Sequence, residues 1–273
     1  HFLMGYGRSG GWAVQPPRSI FVDGEIALMI AAHRMIEEKE EYRPLLAERV
    51  ETMIARMNQS PVLCAESYPD ECWLFCNTVA LAAIRMADAL DGTDHSEFTN
   101  AWIEAAREKL TERKTGLLIS TFEVDGTPIE YGFGPEGSTI WMAAHMLQAV
   151  DPEFAADQYL RAREQLGRSF LGFGYSREWP PGLTGQIDVD SGPVVPLFGA
   201  SASASGLAIL GAAAFGDDDY LRRLFTSLEF GGFPVERDGR LRYQASNPVG
   251  DAVLLYAMTE GPLWNQVRAK LKN

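Results

Sequence analysis

Apolar residues return every three or four positions along most of this chain, and the runs come in pairs, an apolar helix followed by a more charged one. Residues 19–38 form the first helix, with Ile20, Ile26, Met29, Ile30, Met35 and Ile36 at helical spacing. Asp23 and Glu25 stand in its opening turn, where acidic side chains complement the helix dipole. Residues 44–58 answer it, with Leu46, Val50, Ile54 and Met57 facing in and Glu48, Arg49, Glu51 and Arg56 facing out. The same alternation predicts pairs over 72–90 and 96–111, 138–150 and 152–166, 202–215 and 217–228, and 249–258 and 262–270. Three stretches interrupt the helices. Asp125-Gly126 and Asp238-Gly239 each mark a hairpin turn, and residues 167–199 read as one long loop, which at that length is functional or lid-like.

Successive helical hairpins with apolar inner and amphipathic outer members predict an all-α fold, an α/α toroid with small β-hairpin insertions. Residues 1–18, rich in Gly and Pro, read as an extended N-terminal arm, and residues 19–273 as a single toroid domain. A toroid gathers the N-termini of its inner helices at one mouth. The richest such start is the stretch 66–94, in which Ser67, Tyr68, Pro69, Asp70 and Glu71 lead into an apolar helix closed by Asp91-Gly92. Asp23, Glu25, Ser67, Tyr68, Asp70, Glu71, Glu136 and Asp188 are expected to meet there, over an apolar hollow.

Composition narrows the partners. A net charge of −13 on 273 residues argues against nucleic acid or an anionic membrane surface as the partner. No run of 18 apolar residues occurs, so no membrane span is expected. The first residue is His1 rather than Met, which suggests a processed or trimmed product, and three cysteines do not make a disulfide framework, so the compartment stays open. Cys72 and Cys76 share a helix face, but no second cysteine pair follows and only four histidines exist, so no metal site is expected and the thiols read as small buried hydrophobes. His145, on an apolar helix, reads as a core histidine. Gly132, Gly134 and Gly137 do not follow a strand-then-helix pattern, so no nucleotide site is expected. The Asp188-Val-Asp190 loop resembles, weakly, the acid motif of class II terpene cyclases.

Four runs carry a wider resemblance: 76–102 (CNTVALAAIRMADALDGTDHSEFTNAW), 115–122 (TGLLISTF), 138–159 (STIWMAAHMLQAVDPEFAADQY) and 199–229. Anchored on Pro69, Phe75-Cys76-Asn77, Gly92-Thr93-Asp94 and Asp151-Pro152-x-Phe154, the segment 19–229 resembles the bacterial linalool dehydratase/isomerase family. The resemblance implies an (α/α)6 toroid, a buried apolar cavity, no metal or other cofactor, and a homopentamer whose neighbouring subunit completes the site. It puts the family's second cysteine on Cys76, its first on Ser67, its catalytic histidine on Glu25 and its tyrosine near Gly137, beside Glu136. The family's upstream acid and tyrosine segment has no counterpart in this sequence. The scaffold is thus expected to be shared and the proton chemistry rebuilt around carboxylates.

Removing water from an allylic or tertiary alcohol requires an acid for the leaving hydroxyl, a base for a neighbouring proton and tolerance of developing positive charge. A carboxyl desolvated in an apolar cavity stays protonated and can donate. Glu25 is the first candidate, with Glu71 or Asp70 as partner, and Cys76, Ser67 and Asp23 complete the catalytic set. Tyr68, Trp73, Trp141 and Phe173 offer aromatic faces to a cation, and Glu136, Asp188 and Asp190 complete the substrate-binding set. Three function classes fit: a cofactor-independent carbon–oxygen lyase, isomerase or cyclase acting on a small hydrophobic alcohol or alkene; a carbohydrate hydrolase or lyase using paired carboxylates; and a toroid that binds without catalysis.

Overall fold

A computed structural model describes residues 11–129, 134–183, 188–189 and 192–271. Nine helices run through the described residues: α1 (Ile20–Ile36), α2 (Tyr42–Met57), α3 (Leu74–Asp91), α4 (Ser96–Lys109), α5 (Gly137–Leu147), α6 (Pro152–Gln165), α7 (Ala202–Phe215), α8 (Asp218–Gly231) and α9 (Pro248–Leu271). Each odd-numbered helix up to α7 begins a hairpin and packs against the next odd-numbered one, α1 on α3, α3 on α5 and α5 on α7. Helix α9 packs on α7, α3 and α1 and closes the ring. The inner helices pack closely because they are built of small residues. Ala80, Ala82 and Ala83 of α3 and Ala204, Ala208 and Ala212 of α7 are all fully enclosed. At the α1–α3 crossing Gly24 carries the contact, since a Cβ there would lie 3.3 Å from the Ala80 amide and 3.4 Å from the Cys76 carbonyl oxygen. The architecture is the predicted α/α toroid.

Local chemistry ends the helices where the sequence marks them. The Asp151 side chain accepts from the Glu153 and Phe154 amides ahead of Pro152, and Ser201 accepts from Ala204. Gly92 and Gly216 end α3 and α7 in the left-handed conformation, at φ 68° and 69°. None of the described helices is long and apolar enough to cross a membrane.

Two expectations change. Residues 249–258 and 262–270 do not form a hairpin: α9 runs as one helix through Pro262. Leu254, Ala257, Glu260, Trp264 and Val267 form one buried stripe along it, and that packing outweighs the amide that proline lacks. Residues 167–199 are not a plain loop. Strands β1 (Cys72–Trp73) and β2 (Thr121–Phe122) pair ahead of α3, whereas β3 (Gly167–Phe170), β4 (Phe173–Arg177), β5 (Asp188–Val189), β6 (Gly192–Val195) and β7 (Ala200–Ser201) form one antiparallel sheet in the order β3-β4-β7-β6-β5. The remaining pair, β8 (Pro234–Arg237) and β9 (Arg240–Tyr243), is the hairpin expected at Asp238-Gly239, which takes φ 55° and 69°. The turn at Asp125-Gly126 also forms: Phe122 of β2 bridges Pro128 across it, the Glu123 amide donates to the Thr127 carbonyl oxygen at 2.8 Å, and β2 pairs with β1 on its other edge.

Residues 11–18 are tied down. The amides of Ala13 and Val14 donate to the two carboxylate oxygens of fully buried Glu66 at 2.8 and 2.9 Å, and the Asp70 amide donates to the same carboxylate at 2.7 Å. The Glu66 carbonyl oxygen accepts from the Ile20 amide at 2.9 Å, and the Ser19 hydroxyl donates to the Ser67 carbonyl oxygen at 2.6 Å. The starts of α1 and α3 are thereby joined through one residue. Replacing it strands three backbone donors, so Glu66→Ala is expected to cost on the order of 3 kcal/mol, a fall of roughly 6–12 °C in melting temperature. Thermal denaturation followed by circular dichroism checks this, and an unchanged midpoint would show that the clamp holds nothing.

Candidate active site

The first turns of all five inner helices open onto one cavity of about 900 Å³. Phe21 comes from α1, Phe75 and Cys76 from α3, Ser138 and Thr139 from α5, Ser203 and Ser205 from α7, and Val249, Gly250 and Val253 from α9. Trp73 and Glu136, which precede α3 and α5, also stand in the wall. Below them the lining is apolar, with Met142, Leu207, Ile209, Leu224 and Leu254. Helix starts leave backbone N–H groups unspent and carry the positive ends of their dipoles, so acidic and oxygen-bearing groups are favoured at this mouth.

The turn before α3 is closed by its own backbone. The Ser67 and Tyr68 amides donate to the Glu71 carbonyl oxygen at 2.8 and 3.2 Å, and the Glu71 amide donates back to Tyr68 at 3.0 Å. Asp70 takes φ 56° at its tip. The fold of this turn sends the Glu71 carboxylate to the wall, where it accepts from the Trp73 indole N–H at 2.5 Å. Across the cavity Glu136 is fixed by its amide, which donates to the Ser120 hydroxyl at 2.7 Å, and its carboxylate accepts from Thr139 at 3.4 Å. Both carboxylates are buried.

Cys76 stands beside Ser67 and lies within electrostatic reach of Glu25 and Glu71. Burial pushes its thiol up to about 12, against the Ser67 hydroxyl, which lowers it, so the sulfur is protonated at neutral pH. Glu25 lies one turn along α1 from Phe21, and burial raises its carboxyl above the usual range. Its charge is also felt at the Tyr256 hydroxyl of α9. The structure therefore brings Glu25, Ser67, Glu71 and Cys76 together, with Tyr68, Trp73 and Glu136 on the same wall.

Other expected residues sit elsewhere. Asp23 pairs with Arg18 at 2.5 Å. Two residues along a helix turn the side chain by roughly 200°, so Asp23 and Glu25 cannot share a face. Asp70 occupies the tip of its turn rather than the cavity wall. Trp141 is core: its indole N–H donates to Ser176 at 2.8 Å, and its ring packs on Tyr159 and Tyr220. Phe173 packs edge-on against Phe230, with centroids 5.3 Å apart. The Asp188 side chain and all of Asp190 lie outside the described residues. His145 is the core histidine expected, bonded to the Tyr256 hydroxyl at 2.8 Å and held by burial at about 3, hence neutral.

Sequence reading overlooked several groups. Glu178 is fully buried and accepts from the Ser138 hydroxyl at 2.5 Å and the Ser138 amide at 3.1 Å. Tyr175, Tyr243 and Thr121 line the cavity. The first two lie in Gly- and Pro-rich stretches without helical periodicity, and the only available signal was the short alternation around Tyr175. Of the serines repeated at 201, 203 and 205, at the α7 start, the last two line the cavity.

The family model described as linalool dehydratase/isomerase matches residues 22–249. Among solved structures, the chain is similar to a sugar epimerase from a ruminal bacterium, with TM-score 0.53 and 13% identity over 100% of this chain and 82% of that one. It is also similar to cellobiose 2-epimerase from Spirochaeta thermophila DSM 6192 (TM-score 0.55, 13% identity, 99% and 79% covered). A third likeness is to cellobiose 2-epimerase from Bacillus thermoamylovorans B4167 (TM-score 0.52, 11% identity, 97% and 79% covered). At such identities the likeness is one of fold, the α/α toroid.

A carboxyl raised on folding makes the native state bind more protons than the unfolded one, so its contribution falls as pH climbs from the unfolded value, 4.5, toward the raised one. Glu25→Gln removes that slope. Denaturant midpoints measured between about pH 4 and 8 are expected to show the variant gaining on the wild type as pH rises. A difference that stays constant with pH would mean that Glu25 is not desolvated.

Proposed function

The chain belongs to the linalool dehydratase/isomerase family, and on that premise we propose that its cavity is an active site for acid–base dehydration, isomerisation or cyclisation of a hydrophobic allylic or terpenoid alcohol, or of the matching alkene. One observation carries the reading: the Cys76 thiol, on the cavity wall, stands beside Ser67 and within electrostatic reach of two carboxyls, Glu25 and Glu71. A protonated thiol, backed by a carboxyl whose hold on its proton is strengthened by burial, forms a proton source facing an apolar hollow.

In this scheme the Cys76 S–H gives its proton to the substrate hydroxyl as the C–O bond breaks, and the Glu25 carboxyl returns a proton to the sulfur. Water leaves. Glu71, held by the Trp73 indole, takes the proton from the neighbouring carbon, and the electrons of that C–H bond form the alkene. Run in reverse with water added at another carbon, the same groups move the hydroxyl. The converging helix starts disfavour a free carbocation, so proton delivery and proton removal are coupled in time, and Glu136 with the faces of Tyr68 and Trp73 offsets the charge that does develop. Nothing in this scheme calls for a cofactor. Assembly into a homo-oligomer belongs to the same reading, supported by the exposed Leu197, Phe230, Phe233 and Leu241.

A second reading, carbohydrate processing by paired carboxylates, is favoured by Ser203, Tyr243, Ser246 and Asn247 gathering in the cavity wall. The test separates the two: linalool, geraniol, myrcene and cellobiose incubated with the protein and analysed by gas or liquid chromatography. Glu25→Gln and Cys76→Ala are each expected to lower turnover of the alcohols by about 100-fold or more while staying folded by circular dichroism. Full activity in Glu25→Gln would end the acid–base assignment, and turnover of cellobiose alone would replace the first reading by the second.

A further inference from the structure

Strand β2 and the residue before it carry two adjacent hydroxyl groups, and among the described residues only that of Ser120 finds a partner while that of Thr121, on the cavity wall, does not. Ser120 is fully engaged. Its amide donates to Gly134 at 3.2 Å, its carbonyl oxygen accepts from Leu74 at 2.9 Å, and its hydroxyl accepts from the Glu136 amide at 2.7 Å. Thr121, the next residue, lines the cavity and is 1% exposed, yet its hydroxyl has no hydrogen-bond partner among the described residues. Strand geometry explains the difference. Successive side chains point to opposite faces, so Phe122 enters the core, fully buried, and Thr121 turns to the cavity. The register sets Thr121 opposite Trp73, whose indole holds the Glu71 carboxylate. A β-branched side chain has few rotamers, which limits where the hydroxyl can turn.

A buried hydroxyl with nothing to bond is destabilising, and native proteins keep one where a ligand or an ordered water completes it. We propose that Thr121 binds the hydroxyl oxygen of the ligand beside Glu71 and Cys76, so that the cavity selects an alcohol with an otherwise hydrocarbon body over the hydrocarbon itself. The inference rests on the reading of the cavity as the ligand site and adds what decides its specificity. Thr121 also gives the scheme its geometry. A substrate oxygen held at this point on the wall presents its remaining lone pair to the proton source, and a hydrocarbon of the same skeleton finds no anchor there.

The test uses saturated probes that cannot react, 3,7-dimethyloctan-3-ol and 2,6-dimethyloctane, with binding to the full chain measured by depletion from the headspace. Thr121→Val is expected to bind the alcohol about tenfold more weakly than the wild type and the alkane within about twofold, whereas Thr121→Ser keeps the wild-type preference. Because the hydroxyl has no partner to lose among the described residues, Thr121→Val is also expected to melt no lower than the wild type. Equal alcohol binding by the wild type and Thr121→Val would overturn this inference while leaving the catalytic reading standing. Uptake of neither probe by the wild type would overturn the reading of the cavity as a ligand site, and this inference with it.

Discussion

A single buried anion fixes how the molecule begins. Glu66 is wholly enclosed, and three backbone N–H groups, from Ala13, Val14 and Asp70, take the place of water around its carboxylate. Its backbone receives the first amide of α1. The counter-charge comes from fully buried Arg56, which donates to the Arg18 carbonyl oxygen. Burial pulls that guanidinium below its ordinary value while Asp23 and Glu66 hold it up. An ionised group taken out of water is tolerable only when hydrogen bonds and opposite charge surround it, and here both do. The consequence reaches the site, since Ser67, Tyr68 and Glu71 hang from the turn that Glu66 holds, and Cys76 lies at the helix start it precedes.

From that anchor outward, the order of the residues explains much of the arrangement. Helices α1 to α8 were legible because the outer ones bury a stripe at the helical period, the inner ones are apolar over most of their surface, and several end in chemistry that a reader can recognise, such as Gly92 or Asp151-Pro152. What was not legible depends on partners far away in the chain. Pro262 looks like a break until the buried stripe on both sides of it is known. The sheet within 167–199 is hidden because its strands are short and rich in glycine and proline, and their pairing is decided by the start of α7. The cluster around Cys76 was readable since Ser67, Glu71 and Cys76 are neighbours in sequence, and Glu25 joined them because it opens an inner helix and because the family resemblance sets the catalytic histidine on it. Asp23 was grouped with Glu25 by proximity along the chain, although a helix separates such neighbours by more than half a turn. Thr121 and Glu178 gave no signal, because an unspent hydroxyl or an enclosed carboxylate can be recognised only when everything around it is placed.

The ring is closed by a helix whose second half differs in kind from the rest. The matched span ends at residue 249, within the first turn of α9. Beyond it, Tyr256 receives the indole N–H of Trp264 at 2.7 Å and meets His145 of α5, so ring closure is secured by aromatic and polar contacts deep in the core. The helices that carry Cys76 and Glu136 are therefore braced from inside by residues that stand apart from the proton chemistry. Such bracing keeps five helix starts aimed at one point.

That convergence has an effect that precedes any particular bond. Five helix dipoles ending around one opening give the cavity a voltage gradient along its depth, from the helix starts toward the apolar lining. A ligand with an electron-rich end and a neutral tail feels a torque in such a gradient, as a compass needle does, and enters with the two ends already sorted.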